Sequence, residues 1–164
     1  MATPTTLPAT FVSGAVLTAA QMNDLRGAFR VLQVKYFSTS TGRANSTTDF
    51  SDTNLTGTIT PSSTTSQILV MVCQAAGKIA GDGDSACILR LNRGGTTLIH
   101  FGHVGFTQTS LYNWSSGSVV YVDSPATTAS TTYKTMFRNR VAASGAEVQP
   151  ENTASTMVLM EISA

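Results

Sequence analysis

At 164 residues the chain has room for one compact domain burying roughly 70% of its unfolded surface, so it needs neither metal nor disulfide to hold together. Its 26 Thr and 18 Ser stand against 10 basic and 9 acidic residues, which makes the surface hydroxyl-rich rather than charged. A net charge of +1 argues against the phosphate neutralisation that clustered Lys and Arg perform, the nearest cluster, Arg26, Arg30 and Lys35, reading as a solvated helix face, and no apolar run approaches the 18 or so residues of a membrane span, so neither nucleic-acid binding nor membrane insertion is expected.

The opening MATPTTLPAT lacks the charged start and apolar core of a secretory signal, and synthesis and folding in a cytoplasm are expected. Pro4 and Pro8 break residues 1–16 into an extended arm that must lie on something. The next stretch, LTAAQMNDLRGAFRVL, residues 17–32, predicts one short α-helix. Thr18 and Gln21 form a capping box in which each side chain satisfies the other's backbone N–H, and Leu17 can staple against Met22. Met22, Leu25, Phe29 and Leu32 recur at intervals of 3, 4 and 3, a seam too short to sustain a coiled coil alone. It packs either on the chain's own β domain or against symmetry mates and other components of an assembly. The arm before it and the lack of a polar linker after it favour the second.

From Val31 onward β-branched Thr and Val alternate with turn residues. Strands are predicted at Val31–Phe37, Leu55–Thr60, Gln67–Gln74, Ala86–Asn92, Thr96–Phe101, Ser118–Asp123, Thr132–Asn139 and Thr156–Ile162. Eight short strands divided by Gly, Asn, Asp, Ser and Pro predict an all-β fold, an antiparallel, jelly-roll-like β-sandwich. The expected organisation is residues 1–32 as arm and attachment helix and 33–164 as the sandwich. In Thr132–Asn139, Tyr133, Thr135 and Phe137 share one face and Lys134, Met136 and Arg138 the other, the mark of a strand wet on one side. Ile68 to Val72 and Met157 to Met160 have no polar face. A sandwich covers only one face of each sheet, so the second must meet the helix or another subunit, and a homotrimer is expected.

Cys73 and Cys87 lie in apolar runs and are expected reduced and buried. The chain has no nucleophile elbow, no phosphate-cradling Gly-rich loop and no H-E-x-x-H. His100 and His103 would fall on opposite faces of a strand. Gly81-Asp82-Gly83-Asp84 opens like a calcium loop, but Ala86 and Arg93 stand where further ligands belong, so it reads as a hairpin turn. No enzyme activity, cofactor or metal is expected. In HFGHVGFTQTSLYNW, residues 100–114, Tyr112 and Trp114 could stack on sugar rings while Gln108 and Asn113 bond hydroxyls, unless Trp114 belongs to the core.

Residues 10–26, TFVSGAVLTAAQMNDLR, resemble the leader of many phage tail-appendage and minor virion proteins. GTITPSSTTSQILVMV at 57–72, YVDSPATTASTTYK at 121–134 and STMVLMEI at 155–162 resemble a β domain of phage tail fibres and related surface proteins. The resemblance implies a bacteriophage virion protein attached to other virion proteins through its N-terminus, where the staple and seam residues Leu17, Met22, Leu25, Phe29 and Leu32 are the candidate attachment residues. It implies a trimeric, outward-facing β domain. Similar modules serve tail fibres, minor tail proteins, head fibres and capsid decorations alike. The competing class is a carbohydrate-binding module outside any particle, which would need a secretory signal or an attached catalytic domain.

Overall fold

The computed structural model describes residues 16, 18–19, 30–79, 84–108, 110–142 and 145–163. Residues 1–15 of the predicted arm and the seam residues Leu17, Met22, Leu25 and Phe29 lie outside them. Ten strands are described: β1 (Val31–Thr39), β2 (Arg43–Asn45), β3 (Ser51–Ile59), β4 (Gln67–Ile79), β5 (Ser85–Arg93), β6 (Thr96–Thr107), β7 (Asn113–Asp123), β8 (Thr131–Asn139), β9 (Gly145–Val148) and β10 (Ser155–Ile162). All eight predicted strands are present, most of them longer than expected. The additions β2 and β9 are too short to display an alternating pattern. Leu32, placed by sequence at the end of the helical seam, instead sits in β1 and is half-buried.

The pairing is nested. β5 pairs β6, β4 pairs β7, β3 pairs β8, β2 pairs β9 and β1 pairs β10, all antiparallel. The chain is thus one long hairpin whose tip is the two-residue turn Gly94-Gly95, with Gly94 at φ 54°, a left-handed conformation that glycine adopts without strain. Rolling that ladder sets β10 beside β4 and β8 beside β5. Two sheets result, β1-β10-β4-β7 and β3-β8-β5-β6, with β9 and β2 continuing the first alongside the far end of β4. An eight-stranded double sheet built from such a rolled ladder is a jelly roll.

Alternation fills the space between the layers. Ile68, Val70 and Val72 of β4 and Met157 and Leu159 of β10 face Leu55, Ile59, Leu91 and Tyr133 of the other sheet, all buried. Cys87, Leu89, Val104 and Phe137 form a second cluster with Ala76, Ala146 and Val148. Each large side chain in these clusters contributes roughly 1.5–3 kcal/mol. On β8 the expected alternation holds, with Tyr133, Thr135 and Phe137 buried and Lys134, Met136 and Arg138 half-exposed.

Polar groups tie the sheets together where the apolar clusters meet. Thr53 and Thr135 hydroxyls share a 2.5 Å hydrogen bond, the Thr135 hydroxyl donates to Gln74 Oε1 at 2.8 Å, and Gln74 Nε2 donates to Ser155 Oγ at 2.9 Å. All four residues are buried, and each bond satisfies a group that would otherwise cost about 1–3 kcal/mol to bury. At one end Asp123 of β7 accepts two bonds from Arg93 Nη1, at 2.9 and 2.8 Å, and one from the Tyr133 hydroxyl at 2.6 Å.

Glu161 of β10 is also buried. Its Oε2 accepts from Gln33 Nε2 at 2.5 Å, and its Oε1 accepts from the Ser62 backbone N–H and hydroxyl at 2.6 and 2.7 Å, clamping the β3–β4 loop. Burial alone would raise its pKa, but the hydrogen bonds from Gln33 and Ser62 outweigh burial and hold the carboxyl below its ordinary value near 4.5. The unfolded chain therefore takes up this proton first. The stability it contributes is complete above about pH 4.5 and is lost as pH falls through the lower folded value. Glu161→Gln should lower stability by about 1–3 kcal/mol at pH 7 and flatten the decline below pH 4.5. Melting curves of both proteins from pH 7 to 3 check this, and parallel curves would refute the clamp.

Two expectations are corrected. Cys87 is buried, which pushes its thiol pKa up, but Cys73 is exposed, because alternation along β4 puts it on the outer face with Leu69 and Met71. Both are free thiols. The hairpin expected around residues 81–84 is not formed by the flanking strands, since β4 and β5 belong to different sheets; residues 81–83 lie outside those described.

Candidate functional site

The 100–114 segment supplies the end of β6, the start of β7 and the connection between them. Trp114 is 44% exposed, so it is not a core residue. It stands opposite Gly77 on β4, and Gly77 in turn stands opposite Glu147 on β9. A Cβ at position 77 would come within 2.7 Å of Trp114 Cδ1, so only glycine lets the indole lie across the strand. The ring crosses it toward the Glu147 carboxylate. Burial raises the Glu147 pKa, the neighbouring Trp114 indole opposes that rise, and the nearby charge of Glu151 adds to it.

Seated over Gly77, Trp114 leaves part of its ring to solvent. Tyr112, 59% exposed, meets it edge-on with ring centroids 5.5 Å apart and planes at 65°. Gln108 and Asn113 are exposed, and Asn113 Nδ2 donates to the Phe106 carbonyl at 3.3 Å. The four residues singled out by sequence therefore fall at one end of the sandwich, although only the two aromatic rings are seen in direct contact. Sequence reasoning missed their neighbours. Phe106 and Leu111 are exposed as well, the Arg140 guanidinium lies 5.6 Å from the Phe106 ring centroid, and Arg140 is paired with Asp84 at 2.9 Å. Glu147 was unreadable in advance because its link to Trp114 runs through two strand pairings.

Arg30 lies at the opposite end of the sandwich. Arg30 N–H donates to Ser163 Oγ and the Ser163 N–H donates to the Arg30 carbonyl, both at 2.9 Å, immediately before β1 and after β10. β4 measures the separation: Gln67 pairs Ile162 at this end and Lys78 pairs Asn113 at the other, a span of roughly 36 Å at about 3.3 Å per residue.

No protein-family model matches the chain, and no curated protein matches it. Among solved structures the chain is similar to the infectious bursal disease virus VP2 subviral particle, with a TM-score of 0.45 and 14% identity, covering 81% of this chain and 34% of that one. The chain spans about a third of the length of that protein.

The outer face of β3-β8-β5-β6 is charged. Arg90 stacks on Phe50 at 3.9 Å from the ring centroid, with Arg138 at 5.4 Å and His100 edge-on at 5.5 Å. Lys134 pairs with Asp52 at 3.1 Å. His100 and His103 were expected on opposite faces, but a bulge in β6 sets them opposite Arg90 and Ile88, and hence on the same face. Among the described residues no group of three or more His, Cys, Asp or Glu is arranged to hold a metal ion.

Proposed function

We propose that this chain is a non-enzymatic structural protein of a bacteriophage particle, held to other virion proteins by its N-terminal segment and projecting a trimeric jelly-roll domain outward, from the tail or the capsid. The observation that carries this reading is the polarity of the fold. Residue 30 enters at one end, next to Ser163, and the exposed Phe106, Leu111, Tyr112 and Trp114 sit at the other. A chain tethered by its N-terminal segment presents those rings farthest from its support. An aromatic pair beside exposed amides suits host surface glycans, whose apolar ring faces stack on aromatic side chains while hydroxyls take hydrogen bonds.

Gold-labelled antibody against the domain should decorate intact particles at symmetric positions. Absence of the chain from purified particles, labelled or denatured, would favour the competing carbohydrate-binding module. Replacing both Tyr112 and Trp114 by Ala should reduce particle adsorption to host cells about ten- to a hundredfold without loss of incorporation, the scale of losing two stacked rings. Unchanged adsorption would remove the glycan reading and leave the structural one standing.

A further inference from the structure

The outer face of β1-β10-β4-β7 carries two continuous rows of apolar side chains. Tyr36, Val158, Met71 and Val120 stand abreast across the four strands. Val34, Met160, Leu69 and Val122 form the adjoining row. Val120 is 68% exposed, and Tyr36, Val34 and Val122 are exposed too. Beyond the first row come Ser38, Thr156, Cys73 and Ser118, a small polar rim. No side chain in these three rows carries a charge. The result is an apolar centre with a polar edge, the arrangement of a protein-binding surface rather than of singly scattered apolar residues.

We infer that this face is the surface through which copies of the chain bind one another, an assignment that rests on the trimeric reading above. Charge narrows the choice of occupant. An acidic or basic partner would find no counter-charge here, whereas a second uncharged apolar face leaves nothing unpaired. The chain's net charge of +1 gives copies little mutual repulsion. The other sheet presents Arg90, Arg138, Lys134 and Asp52 outward, so the two outer faces differ in the way a water-facing and a protein-facing surface differ. Position agrees as well. The two apolar rows cross β1 at Val34 and Tyr36, within six residues of Arg30, so copies joined here gather their N-terminal segments at one end, where a common anchor can hold them.

The test compares the full-length chain with Val120→Asp/Val122→Asp by native mass spectrometry at micromolar concentration, with Thr132→Asp on the opposite sheet as control. The unaltered protein and the control should have three times the 17.2 kDa mass. The double variant should be a folded monomer by circular dichroism, its association weakened on the order of a thousandfold by buried unpaired charge. A trimeric double variant would overturn this face and leave the trimer intact, whereas a monomeric unaltered protein would overturn both. Cys73 gives a second reading that needs no interface substitution. Exposed in a single chain, it should react with a thiol reagent about tenfold more slowly in the assembled protein than in dissociated, folded chains, and equal rates would overturn the assignment.

Discussion

Replacing Leu25 and Phe29 by Ser is expected to abolish incorporation into particles while leaving the melting temperature of the β domain nearly unchanged. Both residues belong to the apolar seam that precedes β1. Each such side chain buried at an interface contributes roughly 1.5–3 kcal/mol. Losing two therefore weakens attachment by about two to four orders of magnitude. The rival arrangement, in which the seam packs on its own sandwich, gives the reverse order of effects. Thermal stability would fall clearly, and incorporation only in proportion to the folded fraction. Measuring both on one double variant separates them, and normal incorporation with a lowered melting temperature rules out the anchor.

Asp123→Ala should be strongly destabilising to the β domain. It removes the acceptor of the Tyr133 hydroxyl, which is fully buried, and leaves the Arg93 guanidinium without its carboxylate. An orphaned buried hydroxyl costs about 1–3 kcal/mol. Arg93, about 31% exposed, adds less than a buried ion would because water screens it. Together the loss is about 3 kcal/mol, or roughly 6–12 °C in melting temperature for a domain of this size. Adding Tyr133→Phe to the variant removes the orphan and should recover about 1 kcal/mol. A shift below about 2 °C in the single variant would show that the two sheets are not joined through this carboxylate.

Strands were legible in the sequence wherever they were long enough for a two-residue period and bounded by turn formers, which is why all eight predicted segments appear. β2 and β9 were not, since three or four residues fix no period. Burial of individual Ser and Thr residues was equally hidden. Thr53, Thr135 and Ser155 have the same composition signal as their exposed neighbours, and only the pairing of β3 with β8 and β10 with β4 turns them inward together. Cys73 was misjudged for a related reason: in an unbroken apolar run the sequence gives no parity, so inner and outer members look alike. The same run nevertheless exposed its own anomaly, because Ile68 to Val72 could not all be satisfied by one core. The His100 and His103 error came from assuming a regular strand where a bulge adds a residue. That Gln108, Tyr112, Asn113 and Trp114 lie near one another follows from their closeness in sequence, but the seating of Trp114 over Gly77 depends on strand order, which local pattern does not contain.

The nested ladder also sets an order in which the chain can fold. Closing β5 on β6 spans only the Gly94-Gly95 turn, and each later rung closes a loop already shortened by the one inside it, so the entropy of joining distant segments is met in small instalments. β1 pairs only with β10, the outermost rung. Val158 and Met160, in the middle of the uncharged face, arrive with that same strand. The uncharged face proposed above to join copies is therefore incomplete until the interior is closed, so on that proposal partly folded chains have no correct site at which to join. Amide protection during refolding reads this sequence of events, with β5 and β6 protected first and β1 last.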